Sequence, residues 1–209
     1  VSSVVCKNKS AGLKNPLAHM GANLTNEEIS AGAMIASPIR IHDCCPVSDG
    51  AAAVVVARAD IVDKNKDAIS VLASVQTSGS PRIAGHKNIY SFDATVKASE
   101  KAFNIAGIGT KDLSLVELHD CFSIAEIIDS EDLGIVPRGE GAAWAFEGRT
   151  NIDGDIPINP SGGLLSKGHP VGATGVGQIF EACLQLRGKH SNQVKDARFA
   201  MTHNLGGAG

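Results

Sequence analysis

The residue types with the clearest potential for chemistry lie in a glycine-rich segment, NPSGGLLSKGHPVGATGVG, at positions 159–177. Its glycines allow the backbone to approach a ligand closely. His169 stands between Gly168 and Pro170, so we expect its ring to be held on a stiff, narrow loop. Thr174 then opens a predicted helix whose free N–H groups favour negative charge. Two plainer interpretations stay open. One is a loop histidine with its hydrogen bonds satisfied, and the other is a dinucleotide-binding loop at 172–177, although that fingerprint requires a preceding strand.

A second group, His119-Asp120-Cys121-Phe122, directly follows a predicted strand at residues 113–118. In open α/β sheets, ligands gather at the carboxyl ends of the strands. His119 and Cys121 can both reach one cleft if the backbone turns between them. The alternatives are that Cys121 is a small core residue and that Asp120 caps the helix that follows it.

Two further segments combine polar side chains with glycine. The segment 42–45, HDCC, contains ligand types for a metal. Adjacent residues in one short run do not easily surround an ion, so we predict no metal site there. Asp49-Gly50 is typical of a turn. The segment 203–207, HNLGG, either offers backbone N–H groups to an oxyanion or forms a tight turn.

Alternating strands and helices must position these segments. Apolar residues at helical spacing, a capping box formed by Thr25 and Glu28, and Gly107 as a stop signal predict the helices. Continuous apolar runs predict buried strands. The predicted helices cover 25–35, 94–106, 123–132 and 174–186, the predicted strands 1–5, 51–57, 69–75, 113–118 and 197–202, and a long polar loop 136–159. This alternation indicates an α/β layered fold with a largely parallel central sheet.

Composition excludes several classes of protein. The chain has 209 residues, 20% of them charged, and a net charge of −3, which favours neither nucleic acid nor an anionic membrane as a partner. Its five cysteines are odd in number and lack CxxC spacing, as expected for reduced thiols in a cytoplasmic compartment. No apolar run is long enough to cross a bilayer, and residues 1–9 lack the layout of a signal peptide.

Together these segments resemble the C-terminal half of the thiolase family. The segment 159–175 is highly specific to that family, and Gly168-His169-Pro170 matches its catalytic-histidine motif. HDCF at 119–122 is the version found in the sterol-carrier-protein type of thiolase. SDGAAA at 48–53 resembles the last strand of the family's N-terminal half, and residues 7–20 resemble the loop region before that strand.

The resemblance implies a thiolase-like layered fold, in which helices cover a mixed sheet. Residues 1–67 are then the end of the N-terminal half, and residues 68–209 form the C-terminal domain, truncated at its C-terminus. A polar connection at 64–67 is the expected boundary between them.

Two departures from the family pattern affect the expected chemistry. Asn204-Leu205-Gly206 stands where other thiolases carry a Cys-x-Gly motif, and the resemblance to the HDCF type transfers the role of that cysteine to Cys121. The acylated cysteine of the family lies in its N-terminal half, and none of the five cysteines here matches its motif. We therefore expect this chain alone to be inactive and to require the N-terminal half as its partner.

The resemblance also implies a role for each site residue. His169 is the base that takes the proton of the nucleophilic cysteine. Cys121 moves the proton on the α-carbon of the acyl-CoA, helped by a neighbouring charged histidine that lowers the pKa of its thiol. His119, with a bound water, and His169 donate to the enolate oxygen. The backbone N–H of Gly206 donates to the oxyanion of the tetrahedral intermediate.

The implied function is coenzyme A-dependent acyl transfer, either 3-ketoacyl-CoA cleavage or acetyl-CoA condensation. Acyl-CoA thioesters are then substrates rather than permanently bound cofactors, and the intact enzyme is a homodimer or tetramer in the cytoplasm, or in the peroxisome of a eukaryote. A thiolase-like aldolase and a non-catalytic partner subunit are the alternatives, although the presence of both His119 and His169 argues against them. A nucleotide-dependent oxidoreductase rests on the segment 172–177 alone.

Overall fold

Seven helices and four short strands occur in residues 1–62, 67–80, 82–85 and 88–206, the part of the chain that the computed structural model describes. The helices are α1 (Ser2–Lys14), α2 (Asn26–Ala31), α3 (Asp93–Ala106), α4 (Ser123–Asp132), α5 (Gly141–Phe146), α6 (Gly163–Lys167) and α7 (Thr174–Leu186). The strands are β1 (Met34–Ala36), β2 (Ile39–Arg40), β3 (Leu115–Glu117) and β4 (Ala200–Thr202). Single 3-10 turns lie at Ile41–Asp43, Ile83–Gly85 and Thr110–Asp112.

The β3 and β4 strands pair in parallel, with Val116 opposite Met201. Ile158 adds a parallel bridge to Val116 from the other side. A parallel pair requires a long crossover between its strands, and here the crossover includes the helices α4 to α7. The predicted α/β class and the parallel pairing are therefore confirmed, while β1 and β2 form a separate antiparallel hairpin.

Two apolar clusters hold these elements together. The first joins α1, α2, α4, α5 and α6 through Val4, Val5, Ile29, Ile127, Ala145 and Leu165. The second packs beneath β3 and contains Val116, Leu118, Leu133, Val136, Ile156 and Ile158. Residues from both predicted portions of the chain contribute to the first cluster. The division between residues 1–67 and 68–209 stays a prediction.

Local signals placed most helices correctly. The helices α4 and α7 begin and end at the predicted residues, and α3 begins one residue early. Gly107 ends α3 with φ of 67°, a left-handed conformation that glycine adopts without strain. Thr25 and Glu28 form the expected capping box of α2, but this helix ends at Ala31 because Gly32 leaves the helical region and leads into β1.

The predicted strand at residues 1–5 is wrong, because this segment is the first turn of α1. Val4 and Val5 have no exposed surface and belong to the first apolar cluster. An apolar run of five residues does not distinguish a strand from a buried helical face. Tertiary contact with α4, α5 and α6 decided between the two.

The predicted strands at 51–57 and 69–75 are also wrong, because neither segment forms regular secondary structure. Val55 is 99% exposed and Val56 is 79% exposed. A strand is stabilised only when a neighbouring strand takes up its backbone hydrogen bonds. Among the described residues neither segment has such a neighbour.

The segment 136–159 is more ordered than a polar loop. It contains α5, and its last residues bring Ile158 into the parallel bridge with Val116. Arg149 lies over the ring of Trp144 at 3.6 Å and pairs with Asp155 at 2.7 Å. Of the expected polar connection at 64–67, all but Asp67 lies outside the described residues.

Candidate active site

Polar residues follow β3 and β4 at the point where each strand ends. His119 comes two residues after β3, and His203 and Asn204 come directly after β4. Parallel strands place their carboxyl ends at one edge of the sheet. The pairing therefore joins residues 85 positions apart in sequence: Nδ1 of His119 lies 3.1 Å from Oδ1 of Asn204.

His169 reaches the same place from the loop before α7. Gly168 has φ of +99°, and a side chain there would collide with Ser48, so the position requires glycine. The backbone N–H of His169 donates to the carbonyl of Pro46 at 3.3 Å. The expected stiff, narrow loop around His169 is thus present.

Thr174 faces the Nδ1 side of the His169 ring. The Thr174 hydroxyl donates to the carbonyl of Pro170 at 3.1 Å and lies 2.7 Å from Nδ1 of His169. When the single hydroxyl hydrogen points to Pro170, the hydroxyl oxygen accepts from Nδ1–H of the ring. Nε2 of neutral His169 then carries the lone pair, and burial lowers the pKa of His169, which keeps that lone pair available.

The two histidine rings contact each other edge to face. Their centroids lie 4.8 Å apart at an interplanar angle of 84°. Burial lowers the pKa of His119, while the hydrogen bond with Asn204 opposes this shift and the charge of His169 adds to it. Of the four residues predicted to act in catalysis, these two are brought together directly.

Cys121 is held in place by backbone pairing between residues 121–122 and residues 44–45. Cys44 and Phe122 form an antiparallel bridge, and the N–H of Cys45 donates to the carbonyl of Cys121 at 3.0 Å. Burial raises the pKa of the Cys121 thiol to about 11, with further contributions from Cys45, Asp120 and Asp129. The expectation that a neighbouring histidine lowers this pKa is wrong in this chain, because burial and nearby acidic groups dominate.

Asp120 caps a helix, but not the one that follows it in sequence. Its Oδ1 accepts from the N–H of Leu164 at 2.6 Å, and its Oδ2 accepts from the N–H of Leu165 at 3.3 Å. Both donors belong to α6. Asp120 therefore ties the HDCF segment to the helix that leads into the His169 loop, and so links the two histidine-bearing segments.

Asp120 also forms a buried acidic pair with Glu126. The side-chain N–H₂ of Asn8 donates to both carboxylates at 2.8 Å, and Lys7 pairs with Glu126 at 3.0 Å. Burial and the charge of Glu126 raise the pKa of Asp120 to about 7. Burial and the mutual repulsion of two close carboxylates favour retention of a proton, although the ammonium groups of Lys7 and Lys9 lie nearby.

This pair predicts a pH-dependent stability. Between pH about 4 and about 7 the folded chain holds a proton that an unfolded aspartate has lost. The free energy of unfolding should therefore fall as pH rises through that window, by up to about 1.4 kcal/mol per pH unit. Urea unfolding at several pH values measures it. Asp120→Asn should flatten the dependence, and the exposed Asp153→Asn should leave it unchanged. If the free energy of unfolding fell with pH equally steeply in Asp120→Asn and in the wild-type chain, the retained proton would not belong to Asp120.

The remaining sequence candidates have different surroundings. Gly206 is exposed and a side chain there would meet nothing within 4 Å, so its backbone role stays a prediction. Asp43 accepts from the Ser123 hydroxyl at 2.6 Å and from the Arg40 N–H at 2.9 Å, which is a structural role. Within the described ranges, no group of three or more histidine, cysteine or acidic residues is arranged to hold a metal ion.

The interpretation of 172–177 as a dinucleotide loop is not supported by its context. A loop through His169 and Pro170 precedes α7, whereas the fingerprint requires a strand there. An open cavity of about 470 Å³ lies beside this loop, lined by residues 48–52 and 170–173. The loop that carries His169 therefore borders an open cavity.

Three contributors to the site were not found from sequence. Asn204 was considered only as part of the 203–207 turn segment and as the replacement for a cysteine, and Thr174 only as the start of a helix. Gln178, whose Oε1 accepts from the Asn204 side chain, was not considered. Thr174 follows His169 by five residues, and the turn between Pro170 and Thr174 brings the two side chains together. No local signal links Asn204 or Gln178 to His119.

In the described part of the chain, no helix is long and apolar enough to cross a membrane.

Comparison with known proteins identifies relatives along most of the chain. An acetyl-CoA acetyltransferase of Methanothermobacter thermautotrophicus is 47% identical over 93% of this chain and 51% of its own length. Sterol carrier protein 2 of Gallus gallus is 38% identical over 98% of this chain and 39% of its own. Benzoylsuccinyl-CoA thiolase subunit BbsB of Thauera aromatica is 37% identical over 99% and 54%. The chain thus spans about half the length of these relatives, or less.

Solved structures and a family profile agree with this placement. The Ltp2-ChsH2(DUF35) aldolase superposes with a TM-score of 0.81 at 20% identity, over 96% of this chain and 53% of that one. A monomeric SCP2-thiolase like protein type 1 from Mycobacterium smegmatis gives a TM-score of 0.61 at 17% identity, over 96% and 41%. The profile described as thiolase C-terminal domain-like matches residues 76–209. This chain belongs to the thiolase family, and it carries the family's C-terminal type of domain.

Proposed function

We propose that this chain supplies the acid–base half of a thiolase active site, which performs coenzyme A-dependent acyl transfer together with an N-terminal half. The contact between His119 and His169 carries the proposal. Each ring has Nδ1 tied to a neighbouring side chain, Asn204 or Thr174. Nε2 is then the ring nitrogen of each histidine left for a reacting group.

The proposed chemistry assigns one proton movement to each residue. Nε2 of His169 takes the proton of the nucleophilic cysteine, whose thiolate attacks the ketone carbonyl of a 3-ketoacyl-CoA. The bond between the α- and β-carbons breaks, and its electron pair leaves as the enolate of acetyl-CoA. The thiol of Cys121 returns a proton to that α-carbon. The acyl group stays on the nucleophilic cysteine until the thiol of a second coenzyme A, deprotonated by the Cys121 thiolate, attacks it. The cysteine thiolate then leaves and regains its proton from His169. Condensation is the reverse of these steps.

Charge stabilisation completes the proposal. His119, through a bound water, supplies a hydrogen bond to the enolate oxygen. The backbone N–H of Gly206 donates to the tetrahedral oxyanion. Acyl-CoA thioesters act as substrates and not as resident cofactors. The partners are the N-terminal half and, in the intact enzyme, further subunits of a homodimer or tetramer. The proposed setting is lipid metabolism in the cytoplasm or, in a eukaryote, the peroxisome.

The first test concerns the chain by itself. Incubation with acetoacetyl-CoA should give no stable acylation, as measured by mass spectrometry of the intact chain. A thiolate is the working nucleophile, and burial raises the pKa of Cys6, Cys44, Cys45 and Cys121. Addition of an N-terminal half from a relative should produce one acyl group on that half. Stoichiometric acylation of Cys45 or Cys121 would instead place the nucleophile in this chain.

A thiolase-like aldolase is the second candidate, favoured by the close superposition on an aldolase structure. That likeness concerns the fold. The retained pair of His119 and His169 favours acyl transfer, because a carbon–carbon cleavage without a cysteine thioester does not require a base for a thiol. Assembly with the N-terminal half followed by parallel assays of thiolysis and of aldol cleavage separates the two. Aldol cleavage without thiolysis would support the second candidate.

A further inference from the structure

A directed series of hydrogen bonds runs from the backbone after β4 to the ring of His119. Nε2 of Gln178 donates to the carbonyl of His203 at 3.2 Å. Oε1 of Gln178 accepts from the side-chain N–H₂ of Asn204. Oδ1 of Asn204 then lies 3.1 Å from Nδ1 of His119. Gln178 lies on α7 and is 1% exposed, so its amide has no alternative partner in solvent.

The backbone carbonyl sets the direction of the whole series. A carbonyl only accepts, so Gln178 must present its N–H₂ to His203 and its oxygen to Asn204. Asn204 must then present its N–H₂ to Gln178 and its oxygen to His119. An amide oxygen also only accepts, and therefore Nδ1 of His119 must carry a hydrogen.

We propose that Gln178 is a positioning residue that acts through Asn204 to hold His119 in the tautomer with hydrogen on Nδ1. Nε2 of neutral His119 is then an acceptor. This inference deepens the proposed function, because it specifies how the His119 side can serve the enolate oxygen. Nε2 accepts one hydrogen of a water molecule, and the other hydrogen of that water is directed to the oxygen.

Helix α7 also approaches the exposed Asn204 side chain at a second position. A side-chain carbon at Gly175 would lie 3.2 Å from the Asn204 amide nitrogen, closer than ordinary packing. Gly175 and Gln178 are separated by three positions on α7, so both lie on the helix face that meets Asn204. The same helix carries Gly177, where an added side chain would meet nothing within 4 Å.

The tautomer is measurable on this chain without any catalytic activity. Long-range ¹H–¹⁵N NMR of ¹⁵N-histidine-labelled protein distinguishes a protonated from an unprotonated ring nitrogen, and His119→Gln identifies the His119 signals by their loss. We expect wild-type His119 to have hydrogen on Nδ1 at a pH where the ring is neutral. Hydrogen on Nε2 in the wild-type chain would overturn the proposal.

Variants then test each link. Asn204→Ala should shift the tautomer ratio toward Nε2–H by about fivefold or more, the effect of losing one hydrogen bond, whereas Asn204→Asp should keep hydrogen on Nδ1. Gln178→Leu should produce a mixture, whereas Gln178→Glu should return the ratio toward Nδ1–H, since its carboxylate still accepts from Asn204 although it no longer donates to the His203 carbonyl. An unchanged ratio in folded Gln178→Leu would remove Gln178 from the assignment.

A second pair of variants covers the case in which Gln178→Leu does not fold. Gly175→Ala presses on the Asn204 amide and should change the tautomer ratio of His119. The matched control Gly177→Ala, on the same helix, should leave the ratio as in the wild-type chain. Equal ratios in these two variants would count against the proposal. Because the NMR readout needs no N-terminal half, its outcome is separate from any failure of the assembled protein to act as a thiolase.

Discussion

Replacement of His169 with alanine in the enzyme assembled with its N-terminal half is expected to lower the rate of acyl transfer by roughly 100- to 10,000-fold, the usual cost of removing a general base. Thr174 lies 2.7 Å from Nδ1 of His169 and accepts its hydrogen when the hydroxyl donates to Pro170, which leaves on Nε2 the lone pair that takes the thiol proton. Coenzyme A affinity should change much less. Steady-state kinetics together with direct titration of coenzyme A measures both effects.

Two variants sharpen this test. Thr174→Val keeps the side-chain shape but removes the acceptor of Nδ1–H, and we expect a smaller loss than for His169→Ala because the ring itself remains. His42→Ala, at a histidine outside the contacting pair, should leave the rate near that of the wild-type enzyme. If His169→Ala weakened coenzyme A binding without changing the rate, His169 would be a binding residue and not a base.

Replacement of Cys121 with alanine is expected to abolish the exchange of the acetyl-CoA methyl protons with deuterated water in the assembled enzyme. The resemblance to the thiolase family aligns Asn204 with the second cysteine of other thiolases, and an amide does no acid–base chemistry near neutral pH. Burial and neighbouring groups raise the pKa of Cys121 to about 11, so Cys121 is a protonated thiol near neutral pH. In the wild-type enzyme, exchange should therefore accelerate from neutral to alkaline pH, as the thiolate fraction rises.

The two half-reactions should respond differently to this change. Acylation of the nucleophile by a 3-ketoacyl-CoA depends first on His169, so the Cys121→Ala enzyme should still accumulate some acyl-enzyme, detected by mass spectrometry. Cys183→Ala, on α7, is the matched control and should exchange methyl protons at the wild-type rate. Normal exchange in the Cys121→Ala enzyme would show that another group moves the α-proton.

Sequence alone determined the features that depend on neighbours along the chain. Helical spacing and stop signals located α3, α4 and α7, since a helix makes its backbone hydrogen bonds within one segment. The glycine and proline flanking His169 predicted its stiff loop, which the structure has. The resemblance carried by residues 119–122 and 159–175 identified the family, because motifs of that length depend on residue identity and not on packing.

Tertiary structure decided whatever depends on partners far away in sequence. Residues 1–5 became helix because Val4 and Val5 pack against other helices, and residues 51–57 formed no strand because a strand needs a neighbour. Asp120 caps α6, 44 positions onward, and not the helix beside it.

The same physical reason applies to the site. The bond between His119 and Asn204 spans 85 positions, and it exists because β3 and β4 pair in parallel and end at one edge of the sheet. The pKa of Cys121 depends on burial and on charges brought by Cys45 and Asp129. Residue types indicated which groups can exchange protons, whereas the packed chain determined which side chains face each ring nitrogen.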